Sequence, residues 1–323
     1  MSTEFQRELD DMATKGFCVV KDVLSPQEVE VLRNRIKEQA AAEVKKGVAF
    51  NDGVSYQDVL DDSGQFKSTS SGAGVGGVNQ RVFMLINKGE CFRKLVTHPT
   101  INAVVSHVLG DDYILSSYSA NIVRKGSPRM GLHTDQWWAP QPVERDYHHF
   151  RPANISRKPA DVFVNPNPNL GIAPPVTVTA VWMLSDFFVD NGTTEIVPGT
   201  HLSGAYPTLD AQEKYDMVQP EASAGSLLIF DGRVWHGNGA SVSDVERIGL
   251  LSTFCAPQYR QQENMTLGLD RELWPSMSDD LKRRLGFKVW NAYGRVEADF
   301  GELIEPDVKS YGELKLDKDG NVV

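Results

Sequence analysis

Gly131-Leu132-His133-Thr134-Asp135-Gln136-Trp137-Trp138 places a histidine and an aspartate two positions apart. On an extended segment alternate side chains point to the same side, so His133 and Asp135 can meet on one face of a strand. A second stretch, Phe230-Asp231-Gly232-Arg233-Val234-Trp235-His236-Gly237-Asn238-Gly239, supplies another histidine much later in the chain. A fold that uses all three side chains together must bring distant strands to one place, as an antiparallel barrel does.

The three side chains His133, Asp135 and His236 form a candidate metal site. Two imidazoles and one carboxylate, with coordination positions left open, are the ligand set typical of Fe(II) oxygenases. Each residue also has a simpler explanation: His133 and Asp135 can be a hydrogen-bonded pair in a loop, and His236 can belong to a capped turn next to Gly237. No catalytic residue beyond the metal ligands is predicted.

Arg247 lies on the strand predicted to follow the second histidine motif, in Val245-Glu246-Arg247-Ile248-Gly249-Leu250-Leu251-Ser252-Thr253-Phe254. A planar guanidinium at this place can hold a carboxylate through two parallel hydrogen bonds. The alternative is a surface ion pair with the neighbouring Glu246 or Asp244.

Between the two metal motifs lies a further stretch, residues 181–201, which ends in Val197-Pro198-Gly199-Thr200-His201. Together with the metal and arginine motifs in this order, it resembles the phytanoyl-CoA dioxygenase-like family of Fe(II)- and 2-oxoglutarate-dependent oxygenases. The resemblance spans roughly Phe17 to Pro257, since Gly16-Phe17-Cys18-Val19-Val20 and the helix after Ser25 also look like the opening of that family. His201 is expected to order its turn rather than to bind metal.

The resemblance implies a set of cofactors and a reaction. Fe(II) is held by the three ligands, 2-oxoglutarate chelates the iron while Arg247 pairs with its far carboxylate, and O2 is the second co-substrate. The co-substrate is converted to succinate and carbon dioxide as a substrate C–H bond is oxidised. Asp135 favours oxygenation, because related halogenases have a small residue there. Hydroxylation, desaturation, ring formation and epimerisation stay open.

Further polar residues are expected around the 2-oxoglutarate. Ser117, Ser119 and Asn121 alternate along a predicted strand, and Ser119 and Asn121 are candidates for hydrogen bonds to the co-substrate. The alternative is that this strand face is exposed to solvent. Asn238 stands two residues after the metal histidine, where the family often has a hydroxyl, and its amide can still donate to a carboxylate.

Substrate selectivity is expected to lie in the long insert between Gln136 and Pro175, which is rich in aromatic residues and arginines. Trp137 and Trp138 closely follow the ligand pair, so we predict that they line the substrate pocket. Nothing in the sequence favours an acyl-CoA substrate. We therefore expect a small metabolite or a natural-product intermediate.

The pattern of short strands separated by turn residues predicts a mainly β fold with flanking helices, built on a double-stranded β-helix, the jelly-roll or cupin-like core. Strands are expected at 17–23, 80–86, 115–123, 176–185, 225–230, 233–237 and 246–256, and helices at 26–46, 91–96, 100–109 and 278–285. We interpret residues 1–323 as one domain. It comprises N-terminal helices and a mobile loop or lid (about 1–110), the core (about 111–257, with the insert at 136–175) and a C-terminal helical extension (258–323). A Gly-x-Gly-x-x-Gly pattern at 72–77 neither follows a buried strand nor opens a helix, so no dinucleotide site is expected.

Composition narrows the choice of partners. A net charge of −10 disfavours nucleic acid, and no apolar run approaches membrane-spanning length. The N-terminus shows no secretory signal, and the three cysteines suit a reducing compartment, so a cytoplasmic location is expected. The partner is a small-molecule substrate. Residues 312–323 can fray or cross to a second subunit, which leaves a homodimer open.

Two other functions are compatible with the sequence. One is a cupin-like metalloenzyme that does not use 2-oxoglutarate, and the other is a non-catalytic binding protein that has kept the barrel. Substitution of Arg247 distinguishes the first from a 2-oxoglutarate enzyme. Intact His133, Asp135 and His236 speak against the second, which absence of tight, ligand-dependent iron binding would favour.

Overall fold

The computed structural model describes residues 5–52, 77–136, 172–208 and 210–322 of the chain. The helices are α1 (Gln6–Lys15), α2 (Pro26–Lys46), α3 (Glu90–Val96), α4 (Pro99–Leu109), α5 (Ala211–Lys214), α6 (Met265–Gly268) and α7 (Asp279–Lys282). The strands are β1 (Phe17–Val20), β2 (Phe50–Asp52), β3 (Asn79–Val82), β4 (Ile114–Val123), β5 (Thr177–Met183), β6 (Thr194–Val197), β7 (Leu227–Asp231), β8 (Trp235–Asn238) and β9 (Arg247–Cys255).

Two antiparallel sheets make up the β structure of this described part. The larger sheet has the strand order β1-β7-β5-β9-β4-β3-β2, and the smaller one pairs β6 with β8. Single bridges extend the smaller sheet, from His133 to His236 on one side and from Val218 to Ile196 on the other. Strands that are distant in sequence thus become neighbours, and the predicted fold class, mainly antiparallel β with flanking helices, is confirmed.

The alternation of side chains along the strands divides the larger sheet into two faces. One face is apolar: Tyr118 and Ile122 of β4, Leu250 of β9 and Trp182 of β5 belong to the main hydrophobic core. The opposite face bears more polar side chains, since the register places Ser119 beside Leu251 and Ser117 beside Thr253. The helices cover the apolar face, and the polar face lines a cavity.

Helix α2 begins and ends where the sequence predicts. Ser25 and Glu28 form a capping box, in which the Ser25 N–H donates to the Glu28 carboxylate at 2.8 Å. At the other end Gly47 has a left-handed backbone (φ 75°) that suits glycine. The helix buries Val29, Leu32, Ile36 and Ala40, which recur at helical spacing and join the main core.

Several predicted elements differ from the structure. The expected strand at 80–86 is wrong in its second half, because β3 ends at Val82 and a 3-10 turn follows at Leu85–Asn87. Met84 has a left-handed backbone (φ 51°), which ends the extended run. The expected helix at 278–285 is shorter, since a π turn (Arg283–Phe287) follows α7. Helix α1 and strands β2 and β6 were not predicted.

Some expectations fall outside the described residues. Of the predicted loop or lid, residues 53–76 are not described, and these include Gly72 and Gly74 of the glycine pattern. The division into N-terminal part, core and extension stays a prediction. Within the described ranges, no helix is both long and apolar enough to cross a membrane.

Glu263 ties the segment after β9 back to the larger sheet. Its carboxylate accepts the backbone N–H of Met84 at 2.7 Å and that of Tyr118 at 2.6 Å. The two donors lie far from Glu263 in sequence, so one side chain joins three distant parts of the chain. Two backbone groups depend on this single acceptor.

We expect Glu263→Ala to lower the free energy of unfolding by about 2–4 kcal/mol, because it leaves two N–H groups without an acceptor. Denaturant unfolding would measure the change. Glu272→Ala is the matched control, since Glu272 is an exposed acid in the same segment and should change stability by less than about 0.5 kcal/mol. Equal stabilities of the two variants would contradict the prediction.

Candidate metal centre

His133 and His236 are brought together by backbone pairing. The N–H of His133 donates to the carbonyl of His236 at 2.9 Å, and the reverse bond is 3.0 Å long. The imidazole rings therefore lie side by side, with centroids 4.4 Å apart. Gly237 allows this close approach, because a Cβ at that position would lie 2.6 Å from the carbonyl oxygen of Met130.

Asp135 is positioned by the turn between β7 and β8. Its N–H donates to the carbonyl of Gly232 at 2.8 Å. Gly232 has no room for a side chain, since a Cβ there would lie 2.8 Å from both Cβ and the carbonyl oxygen of Thr177. Arg233 stiffens the same turn by donating to the Asp231 carboxylate through Nε (2.9 Å) and Nη2 (2.6 Å). The turn therefore fixes the position of Asp135 relative to His236.

Gln136 closes the base of the long insert next to the metal site. Its Nε2 donates to the carbonyl of Pro174 at 3.1 Å, and its Oε1 accepts the N–H of Val176 at 3.0 Å. The residue after Asp135 is thereby bound to the residues that lead into β5. Trp137 and Trp138, the predicted pocket residues, lie outside the described residues.

The potential ligand atoms of His133, Asp135 and His236 face one another. Nδ1 of His133 lies 3.2 Å from the carbonyl of Gly131, and Nδ1 of His236 lies 3.0 Å from that of Val234. A carbonyl can only accept, so each Nδ1 carries the proton of a neutral ring and Nε2 is free to bind metal. The Nε2 atoms lie 3.8 Å (His133) and 3.5 Å (His236) from Asp135 Oδ1.

The charges of these side chains are coupled. Burial and the neighbouring His236 lower the pKa of His133 to about 4. Burial alone would raise the pKa of Asp135, but the two histidines hold it well below its usual range. Burial alone would lower the pKa of His236, yet the Asp135 carboxylate raises it. At neutral pH, Asp135 is therefore anionic and His133 neutral, which are the forms that bind metal ions.

A cavity of about 180 Å³ opens beside the candidate metal site, between the larger and the smaller sheet. All seven site residues predicted within the described ranges line it, namely His133, Asp135, His236, Arg247, Asn238, Ser119 and Asn121. Ser119 and Asn121 are each 4% exposed, so the alternative of a solvent-facing strand does not hold. The structure brings these residues together, and the roles assigned to them stay predictions.

Arg247 lies at the start of β9, with 3% of its surface exposed. Its Nε and Nη2 have no hydrogen-bond partner among the residues that the structure describes. Burial and the charge of Arg81 lower the pKa of Arg247 to about 10, so the guanidinium stays protonated at neutral pH. A buried cation with open donors requires an anionic partner to offset its desolvation.

The alternative of a surface ion pair for Arg247 is excluded by the geometry. Glu246 pairs instead with Arg124 at 3.0 Å, and Asp244 pairs with Lys125 at 3.0 Å. The side chains of both pairs are exposed, with 37–87% of their surface accessible. Arg247 takes part in neither pair and borders the cavity.

Sequence reasoning missed other side chains that line the cavity. They include Arg81 of β3, Thr179 of β5, Thr253 of β9 and Gln262 of the segment after β9. Arg81 donates a short hydrogen bond to Asp52, and Thr179 donates to Asp135. Alternation along β5 and β9 could have assigned the threonines to one face of each strand, but the sequence does not say which face meets the metal site.

Comparisons with known proteins agree with this architecture. The sequence profile of the family described as "Phytanoyl-CoA dioxygenase (PhyH)" matches residues 12–249. The chain is similar to "Dioxygenase af480" of Aspergillus fumigatus, with 28% identity over 271 residues, which is 84% of this chain and 73% of that protein.

Solved structures with the same fold include the epimerase SnoN in complex with Fe3+, alpha ketoglutarate and nogalamycin RO. It superposes with a TM-score of 0.53 at 18% identity, over 80% of this chain and 86% of SnoN. EctD from S. alaskensis, with 2-oxoglutarate and 5-hydroxyectoine, gives a TM-score of 0.54 at 14% identity, over 81% of this chain and 78% of EctD. The family match runs from within α1 into β9 and includes every candidate metal ligand. The chain therefore belongs, as its motifs predicted, to the phytanoyl-CoA dioxygenase family of oxidoreductases.

Proposed function

We propose that this protein is an Fe(II)- and 2-oxoglutarate-dependent dioxygenase that oxidises an unactivated C–H bond of a small metabolite or natural-product intermediate. Succinate and carbon dioxide are the co-products. The observation that carries the proposal is the buried guanidinium of Arg247, which borders the same cavity as the candidate metal ligands and whose Nε and Nη2 lack a partner among the described residues. A dicarboxylate that also binds metal satisfies both requirements at once.

The ligand set fits Fe(II). Nε2 of His133, Nε2 of His236 and Oδ1 of Asp135 would hold the ion, and these three residues have ligand atoms within 4.8 Å of one another. Two imidazoles and one carboxylate leave coordination positions open, as non-haem iron oxygenases require. When bound, the iron would activate dioxygen together with 2-oxoglutarate.

The far end of the cavity fits the second carboxylate of 2-oxoglutarate. Arg247 would bind it through charge-assisted hydrogen bonds, which are strong where water is excluded. Asn121 is a further candidate, because it borders the cavity and the NH2 group of its amide can donate to an anion. Ser119 and Asn238 border the same space.

The chain's other task is to orient the substrate and exclude water. Phe230 packs against His236 with ring centroids 4.4 Å apart, and Val181 and Leu251 add apolar wall to the cavity. The substrate hydrogen that these walls hold nearest the metal would decide between hydroxylation, desaturation, ring formation and epimerisation. Asp135 occupies the position that a halogenase leaves open for chloride, which supports oxygenation.

The size of the cavity and the names of similar proteins support a small-molecule substrate. SnoN comes from nogalamycin biosynthesis, and EctD was solved with 5-hydroxyectoine. We extend this class to the present chain and assign Trp137 and Trp138 to substrate contact. The charge of −10 supports a partner other than nucleic acid, and the free thiols of the cysteines support a cytoplasmic location.

Anaerobic titration with Fe(II), with and without 2-oxoglutarate, tests the proposal. We expect a weak visible charge-transfer band that appears only when both are present, because it arises when the keto acid chelates iron. Iron binding without any effect of 2-oxoglutarate would favour the cupin-like alternative. Folded protein that binds no iron would favour the non-catalytic binding protein.

A further inference from the structure

Two threonine hydroxyls lie directly behind the carboxylate of the candidate metal site. Thr179 of β5 and Thr253 of β9 are cross-strand partners in the larger sheet. Thr179 Oγ1 donates to Asp135 Oδ2 at 2.6 Å and lies 3.2 Å from Thr253 Oγ1. Both residues are buried, at 2% and 7% exposure, and both border the cavity.

The direction of these hydrogen bonds follows from the charge of Asp135. An ionised carboxylate can only accept, so Thr179 must use its single proton in the bond to Oδ2. The hydroxyl of Thr253 is then the donor in the contact between the two threonines. The bonds run from Thr253 to Thr179 to Asp135, and each donor polarises the next in the buried environment.

This arrangement gives the two carboxylate oxygens different surroundings. Oδ2 is occupied by Thr179, whereas Oδ1 faces Nε2 of both histidines. The backbone bond from Asp135 to Gly232 fixes the main chain but does not fix the carboxylate, because its terminal torsion has a broad, roughly two-fold preference. The bond from Thr179 holds Oδ2 and so restrains this rotation.

We propose that Thr179, supported by Thr253, is a positioning residue that presents only Oδ1 of Asp135 to the metal. With Oδ2 bound to Thr179, the carboxylate would occupy one coordination position of the metal and would leave the other positions to the co-substrate and dioxygen. The inference rests on the proposed function, since it assigns a task within the same iron site.

The first test is Thr179→Val, which removes the hydroxyl and keeps a β-branched side chain of similar size. We expect Fe(II) affinity, measured by anaerobic titration without 2-oxoglutarate, to fall about 10- to 100-fold, as for other partners of metal ligands. We also expect the charge-transfer band with 2-oxoglutarate to shift or broaden. Thr179→Ser should restore affinity and band close to those of the unmodified protein, and Thr253→Val should have a smaller effect because the direct bond remains.

Thr177→Val is the matched control. Thr177 precedes Thr179 by two residues on β5, and its buried Oγ1 has no hydrogen-bond partner in the ranges that the structure covers. This variant should bind Fe(II) as the unmodified protein does, so it separates loss of the hydrogen bond from general effects of valine on the strand. Circular dichroism would check that each variant is folded.

The outcomes separate this inference from the proposed function. If the unmodified protein binds Fe(II) and Thr179→Val binds it equally well with an unchanged band, only the positioning role is overturned. The same conclusion follows if Thr179→Ser is as impaired as Thr179→Val. If the unmodified folded protein binds no Fe(II), the proposed function fails, and the positioning role fails with it.

Discussion

Replacing His236 with alanine is expected to abolish succinate formation from 2-oxoglutarate. The change removes one of the two Nε2 atoms that face Asp135. Loss of a residue that hydrogen-bonds to a metal ligand lowers metal affinity about 10- to 100-fold. Loss of the ligand itself should therefore weaken Fe(II) binding by at least about 100-fold. Anaerobic Fe(II) titration and succinate release would measure both effects.

The fold should survive this substitution. His236 pairs with His133 through backbone atoms, which alanine keeps, so the strand contact is maintained. His107→Ala is a suitable control, because His107 is exposed on α4 and should leave iron binding unchanged. If His236→Ala bound iron and released succinate normally, the assignment of this histidine as a ligand would be wrong.

Arg247→Ala is expected to raise the KM for 2-oxoglutarate by roughly 30-fold or more. Removing one member of a buried, hydrogen-bonded charge pair costs about 2–5 kcal/mol, and each 1.4 kcal/mol is tenfold. Fe(II) affinity without 2-oxoglutarate should stay close to normal, because Arg247 is not among the candidate metal ligands. Succinate release at varied 2-oxoglutarate concentrations would give the KM.

Two further variants sharpen this measurement. Arg247→Lys keeps the charge but loses the planar fork, so its KM should lie between those of the unmodified protein and Arg247→Ala. Arg124→Ala removes an arginine that pairs with Glu246 near the surface, and it should behave normally. Unchanged use of 2-oxoglutarate by Arg247→Ala would overturn the proposed co-substrate site and favour a cupin-like metalloenzyme.

The candidate metal ligands could be predicted from sequence because their chemistry is unusual and their spacing is local. His133 and Asp135 are two residues apart on an extended segment, and the family order of motifs links them to His236. Thr179 is the opposite case. Threonine is common in strands, and its contact with Asp135 arises only because β5 lies between β7 and β9 with this face towards the cavity.

The wrong half of the predicted strand at 80–86 has a similar cause. Local sequence favours extended structure there, but the N–H of Met84 donates to the carboxylate of Glu263, which lies far along the chain. A tertiary contact of this range overrides the local preference for a strand. Strand β6 was missed because it has four residues and lies in the small sheet with β8, apart from the longer strands of the larger sheet. Capping signals, by contrast, are local, and the start of α2 follows from Ser25, Pro26 and Glu28.

The two hydrogen bonds of the Gln136 side chain separate the candidate metal ligands from the segment that follows them. Because Gln136 binds the residues just before β5, the ends of that segment meet at a fixed base. Doubling the length of a loop with fixed ends costs only about 0.6 kcal/mol. A segment of different length or composition can therefore replace this one while the backbone bonds of His133 and Asp135 stay in place. We expect a graft at this place to be the first choice for an engineer who seeks a different substrate.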